Sequence, residues 1–197
     1  MKKAFLIIGI IAGALLLLCC GGGVALYFLA DTTTYAKPAD ACASVTGAQG
    51  MSAFGTVKDK QNKDTTAFGR TYGGCVVTFD TAGTLTVAID VPSSGSDVRA
   101  HYDAVKKLAD ASTAAGATVA GVDGIGTKAF AMHNTTAGGA FMYELDFYDG
   151  NLYVSLNLTA PAGTTFTPDK VRADFLVIGK SLMSSLESSS SGGGRDD

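Results

Sequence analysis

An α+β fold is predicted: an antiparallel sheet of about five strands flanked by helices, preceded by one N-terminal transmembrane helix. Three observations predict it. Residues 4–30 form a run of 27 residues without a charge. Further along, two pairs of segments alternate apolar and polar residues with a period of two, as half-buried strands require. Finally, each pair is followed by a segment whose apolar residues recur at three- and four-residue steps, the mark of an amphipathic helix. Hairpins of this kind joined by a helix give an antiparallel sheet with helices covering it.

The first 30 residues are read as a membrane anchor. At ~1.5 Å per residue the uncharged run reaches ~40 Å, enough to cross a ~30 Å hydrocarbon core. Lys2 and Lys3 precede it and Asp31 follows it. Cations stay on the cytoplasmic side, so a single pass places the N-terminus inside and the rest of the chain outside the cell membrane. A cleaved signal is the second reading, but its apolar core is normally ~7–15 residues, about half of this one. A lipoprotein signal is the third. It would need a small residue before the modified Cys, whereas Leu18 precedes Cys19 and Cys19 precedes Cys20. Gly9 and Gly13 form a G-x-x-x-G face, a possible helix–helix contact within the membrane.

Residues 31–37 read as a polar stalk, 38–187 as the extracytoplasmic domain and 188–197 (SSSSGGGRDD) as a disordered tail without an apolar residue. Within the domain, Pro38 to Phe54 reads as a short helical opening stopped at Gly55. Thr56 to Phe68 is polar and reads as a long exposed loop, with at most a short strand at its start. Tyr72 to Asp80 and Thr84 to Val91 are strands; the second alternates Leu85, Val87, Ile89 and Val91 with Thr84, Thr86, Ala88 and Asp90, and Pro92 ends it. Asp97 to Ala111 becomes helical, with Val98, Tyr102, Val105 and Ala109 on one stripe. Asp97 suits the positive end of that helix and Lys106 and Lys107 the negative end.

Val119 to Ala131 reads as a Gly-rich turn leading into a strand that ends near His133. Phe141 to Tyr148 and Leu152 to Thr159 form a hairpin signalled by Asp149-Gly150. On the first of these strands, Phe141, Tyr143, Leu145 and Phe147 face the core, and Met142, Glu144, Asp146 and Tyr148 face outward. Thr167-Pro168-Asp169 is a cap, an N1 proline and an acid, opening a last helix to about Leu186.

Composition excludes several functions. The chain has 197 residues and a formal charge of −3; the part after residue 30 carries 13 basic and 18 acidic side chains. That balance argues against a nucleic-acid partner held by phosphate contacts. Cys42 and Cys75 are the two cysteines of the external part. In an oxidising compartment they are expected to pair, and neither has a histidine near it in sequence to activate a thiolate. Gly121, Gly124 and Gly126 lack the spacing of a dinucleotide-binding turn, and no P-loop, H-E-x-x-H or G-x-S-x-G pattern occurs.

An Asp-x-Cys start (Asp40, Cys42), a second Cys opening the first long strand (Cys75), a Gly-Val-x-Gly-Ile-Gly-x-x-Ala segment (Gly121 to Ala129) and a closing helix together resemble the actinobacterial cell-envelope domains of unknown function that are similar to LpqN-type lipoproteins. The resemblance covers about Pro38 to Leu186 and implies a PsbP-like fold, an antiparallel sheet flanked by helices. It implies no catalytic residues. The sequence departs from the family in lacking a lipobox, and in having Val76 and Val77 where a Trp is expected.

His101 and His133 are read as surface or boundary residues, not metal ligands. Glu144 and Asp146, with Asp149 at the turn, could bind a cation or act as an acid pair, but read first as a solvated outer sheet face. Tyr72, Tyr143, Tyr148 and Tyr153, with Met132 and Met142, are the material to line a pocket between sheet and helices. No catalytic, cofactor-binding or metal residue is assigned. The expected function is that of a membrane-anchored, non-catalytic binding module of the cell envelope. Its partners are the bilayer through residues 4–30 and either an envelope protein or a small apolar ligand. The alternatives are an accessory or sensor subunit of a membrane complex and an envelope hydrolase.

Overall fold

The computed structural model describes residues 33–187 except 68, 69, 82, 94 and 137. The residues read as an anchor (4–30), among them Gly9 and Gly13, and those read as a tail (188–197) lie outside the described residues. In chain order the elements are α1 (Ala41–Gly47), a 3-10 turn (Met51–Phe54), β1 (Val57–Asn62), β2 (Thr65–Ala67), β3 (Arg70–Phe79), β4 (Thr84–Asp90), α2 (Gly95–Ala111), a second 3-10 turn (Ser112–Ala115), β5 (Thr118–Gly121), β6 (Lys128–Thr135), β7 (Phe141–Asp149), β8 (Leu152–Ala160) and α3 (Pro168–Leu186).

The α+β expectation holds, but the sheet is larger than expected. Seven strands run in the order β1-β3-β4-β8-β7-β6-β5, every pair antiparallel, and the short β2 pairs with the start of β3. Two differences account for the extra strands. The segment read as a loop holds β1 and β2, and the Gly-rich turn separates β5 from β6. All six residues of β1 are exposed. It is an edge strand held by backbone hydrogen bonds, so it has no buried face to impose alternation.

One face of the sheet carries the main core. Leu85, Val87, Ile89, Leu145, Phe147, Val154, Leu156 and Leu158 pack there against Val171, Phe175, Ile178 and Leu182 of α3. Phe175 has Phe54 and Tyr143 edge-on at 5.7 and 5.6 Å between ring centroids. Gly179 lets α3 come close, since a Cβ there would meet Ile125 and the Phe147 ring. Thr167 caps the helix by accepting from the Lys170 amide, and Pro168 opens it. On the same face, α1 begins at Asp40, whose carboxylate accepts from the Ala43 amide at 2.9 Å. That bond, with a second from Asn62, holds the Asp40 carboxyl below its ordinary value. From this helix Cys42 is joined to Cys75 on β3, with Cα atoms 4.9 Å apart.

The opposite face holds a smaller core under α2: Tyr72, Val98, Tyr102, Ala109, Phe130, Tyr148 and Tyr153. Here the expectation of a solvated outer face fails. Asp146 is 0% exposed and Tyr148 1%. The reason is tertiary: α2 lies across β7 and β8, so both faces of these central strands are covered.

The two ends of the described chain meet. Tyr35, in the segment read as a stalk, pairs with Glu187, and the Ala36 amide donates to the Leu186 carbonyl. The Tyr35 hydroxyl donates to Asp149 Oδ2 at 2.6 Å, and its amide donates to Asn151 Oδ1 at 2.7 Å. Among the described residues no helix is long and apolar enough to cross a membrane.

Candidate functional site

Helix α2 ends at Ala111, and the 3-10 turn that follows leads the chain off the sheet toward β5. Because α2 covers β7 and β8 only in part, a groove remains along the sheet beneath its C-terminal end. One hollow, of about 240 Å³, has Ser112, Ala115 and Ala117 on one side and Met132, Met142, Glu144 and Asn157 of the sheet on the other. The second, of about 180 Å³, lies between Val105, Leu108 and Ala109 of α2 and Phe130, Met132, Glu144 and Asp146. The two share Ser112, Met132 and Glu144 as walls. Most of the lining is carbon and thioether. Leu108 at the mouth is 54% exposed, since it lies off the inward stripe of Val98, Tyr102, Val105 and Ala109.

The polar groups of the groove come from alternate positions on two paired strands. Glu144 stands opposite Asn157, and Asp146 opposite Ser155. Asn157 Nδ2 and the Ser155 hydroxyl donate to the two Glu144 oxygens at 3.4 and 3.3 Å. The Tyr153 hydroxyl donates to Asp146 Oδ1 at 2.5 Å. Asp146 Oδ2 is buried without a fixed donor, and the carboxyl shares its proton with the neighbouring Glu144. Burial, then the neighbouring Glu144 charge, pushes the Asp146 carboxyl well above the usual carboxylate range. An uncompensated buried carboxylate is costly, and protonation is how a protein avoids that cost. Burial first, and the acidic neighbourhood of Asp146 second, raise the Tyr153 phenol and push Tyr102 up to about 12.

Toward the other end of α2 lies a second set of polar groups. The Tyr72 hydroxyl lies 3.1 Å from His101 Nε2, and the His101 ring meets Tyr153 edge-on at 4.6 Å. Burial pulls the His101 pKa down, against the pull of Asp90. Arg70 binds Asp90 at 2.9 Å and reaches Asp97 at 3.6 Å.

The structure brings together some of the residues singled out from the sequence and separates others. Met132, Met142, Glu144 and Asp146 meet in the groove, Tyr143 turns through the sheet to Phe175 in the main core, and Tyr72, Tyr148 and Tyr153 form the floor beneath α2. His101 is buried at 8% exposure, and His133 stacks on Tyr143 with ring centroids 6.2 Å apart. Among the described residues no three His, Cys, Asp or Glu side chains gather as metal ligands would. The Gly-rich run is a turn: Gly124 and Gly126 take φ of 84° and 55°, whereas Gly121 ends β5. Val105, Leu108 and Ser112 also line the groove, although no motif in the sequence marks them. The one signal for them is that Leu108 falls off the helix's apolar stripe.

No protein-family model, curated protein or solved structure matches this chain.

Proposed function

We propose that the chain is a membrane-anchored, extracytoplasmic binding module of the cell envelope without catalysis, and that the groove under α2 takes a small apolar ligand. The observation that carries this reading is the open, carbon-walled groove with a half-exposed Leu108 at its mouth. Its hollows are smaller than the ~300–1,000 Å³ of drug-sized pockets, which limits the occupant to a compact molecule or the end of a longer one. The uncharged 27-residue run, the flanking Lys2 and Lys3, and the Cys42–Cys75 bond support the placement outside a membrane. The resemblance to LpqN-type envelope domains supports the same compartment.

Native extraction of the full chain from its own membranes, followed by mass spectrometry, tests the reading. An apolar molecule should accompany the protein and be lost from the Met132→Trp variant, whose indole fills the shared wall. Retention of the same molecule by that variant, or failure of both a native ligand and added small apolar probes to bind, overturns it.

A further inference from the structure

We infer that two copies of this chain pair through the open edge of β5, antiparallel about a two-fold axis beside Ala120, so that one sheet continues into the next. The strand order leaves β1 at one end of the sheet and β5 at the other. A free edge is a template for another strand, and native sheets commonly guard it with charge or a bulge. Strand β1 is guarded in both ways: it carries Lys58, Asp59 and Lys60, and its register shifts between Val57 and Asp59. Strand β5 reads Thr-Val-Ala-Gly, with no charge, no proline and an unbroken register to β6.

The backbone of β5 suits a strand like itself. The Val122 amide donates to the Ala129 carbonyl at 3.0 Å. By the alternation of an antiparallel ladder, Ala120 and Thr118 also turn their backbone groups to β6, whereas Val119 and Gly121 turn theirs to the open side. With Ala120 set opposite Ala120 of the second copy, Val119 of each copy faces Gly121 of the other. Each such pair exchanges both of its N–H···O bonds. The side chains agree with this register. Val119 is half-buried against the cluster under α2, and on the same face Gly121 borders a hollow of about 300 Å³ with Tyr102 and Lys106. A Cβ at Gly121 would meet nothing within 4 Å. Each copy thus sets a valine against the vacancy beside the other's glycine. On the opposite face Thr118 stands against Val122, two β-branched side chains suited to a cross-strand pair, and the small Ala120 side chains meet at the axis. No charged residue lies between Thr118 and Val122, so no like charges come face to face. An unrelated extended segment would take the same backbone bonds; the two-fold match of valine to glycine is what selects a second copy.

The test is oxidative cross-linking of the full chain in proteoliposomes, read on non-reducing gels. A Cys19→Ala, Cys20→Ala background leaves Cys42 and Cys75, which are joined to each other, as the remaining cysteines. Opposed residues that share no hydrogen bond come within ~4.5 Å between Cα atoms, close enough for a disulfide. Ala120→Cys should therefore link into dimers, and Lys60→Cys on the guarded edge should not. Thr118→Cys and Val122→Cys should link to each other when reconstituted together, and neither to itself. Gly121→Lys fills the vacancy and guards β5 with charge as β1 is guarded. It has open space around it and ordinary strand backbone, so the Tm should stay unchanged. The Ala120→Cys yield should fall about tenfold, the effect of losing one or two backbone bonds. Should Gly121→Lys lower the Tm, the mixed Thr118→Cys and Val122→Cys pair decides alone. No dimer from Ala120→Cys, equal yields at Ala120 and Lys60, Thr118→Cys linking to itself, or a yield that a folded Gly121→Lys leaves unchanged overturns the pairing.

Discussion

Asp146 shows how far one buried side chain couples to its surroundings. Its carboxyl titrates above the ordinary Asp value of 3.8 because it is buried and faces Glu144. A carboxyl raised on folding stabilises the fold fully at pH below its unfolded value, and that contribution is lost as the pH climbs through the folded one. His101 has the opposite sign: its pKa lies below 6.5, so its contribution is present above that value and is lost as the pH falls. Subtracting one denaturation profile from another cancels the histidine. The urea midpoint of Asp146→Asn minus that of the parent should therefore grow from pH 5 to pH 8. A difference that stays flat would remove Asp146 as the source. Gly126 is a second residue whose environment decides its substitution. It sits at φ 55°, and a Cβ would meet the Tyr148 carbonyl oxygen, whereas Gly124 at φ 84° has open space around it. Gly126→Ala should cost about 2 kcal/mol or more, and Gly124→Ala about 1 kcal/mol, measured by chemical denaturation.

At the scale of the element, α3 does most to close the main core. Phe175 is fully buried between Phe54 and Tyr143, and truncation leaves a ring-sized void that three elements would have to fill. Phe175→Ala should lower stability by about 3–5 kcal/mol, read from the same denaturation curves. This helix was legible because cap, proline and apolar stripe agree within one stretch: Thr167, Pro168, then Val171, Phe175, Ile178 and Leu182. Strands β3, β4, β7 and β8 were legible from alternation, as one of their faces meets a continuous apolar core. Strand β1 was not, since VKDKQN is exposed on both faces and its pairing with β3 is made by backbone groups that every residue carries. The groove's acids were misread for a related reason. Alternation correctly put Glu144 and Asp146 on the face away from the main core, but whether that face meets water depends on where α2, some forty residues earlier, comes to lie. The groove itself arises where that cover stops, which no local pattern encodes.

Across the whole molecule, two closures bind distant parts of the chain. One is the clasp at the ends, where Tyr35, Asp149 and Asn151 tie residues 114–116 positions apart. Removing its hydroxyl in Tyr35→Phe leaves the Asp149 oxygen near water, so the loss should be only about 1–2 kcal/mol. The other is the bond between α1 and β3, spanning 33 positions. Without it, α1 and the all-exposed β1 would rest on backbone pairing and a small apolar contact. The cross-link acts chiefly on the unfolded chain, where closing a loop of that length removes about 3–4 kcal/mol of conformational freedom. For a body of roughly 150 residues that amounts to about 10 °C in Tm. Thermal unfolding followed by circular dichroism should show this drop on adding a reductant. The Cys42→Ser, Cys75→Ser double variant should show the same drop and then ignore the reductant. If the parent melts identically with and without reductant while alkylation proves its thiols free, the pairing is not what secures α1. The compartment argument would lose its support at the same time, because an oxidising exterior is what should keep these two sulfurs joined.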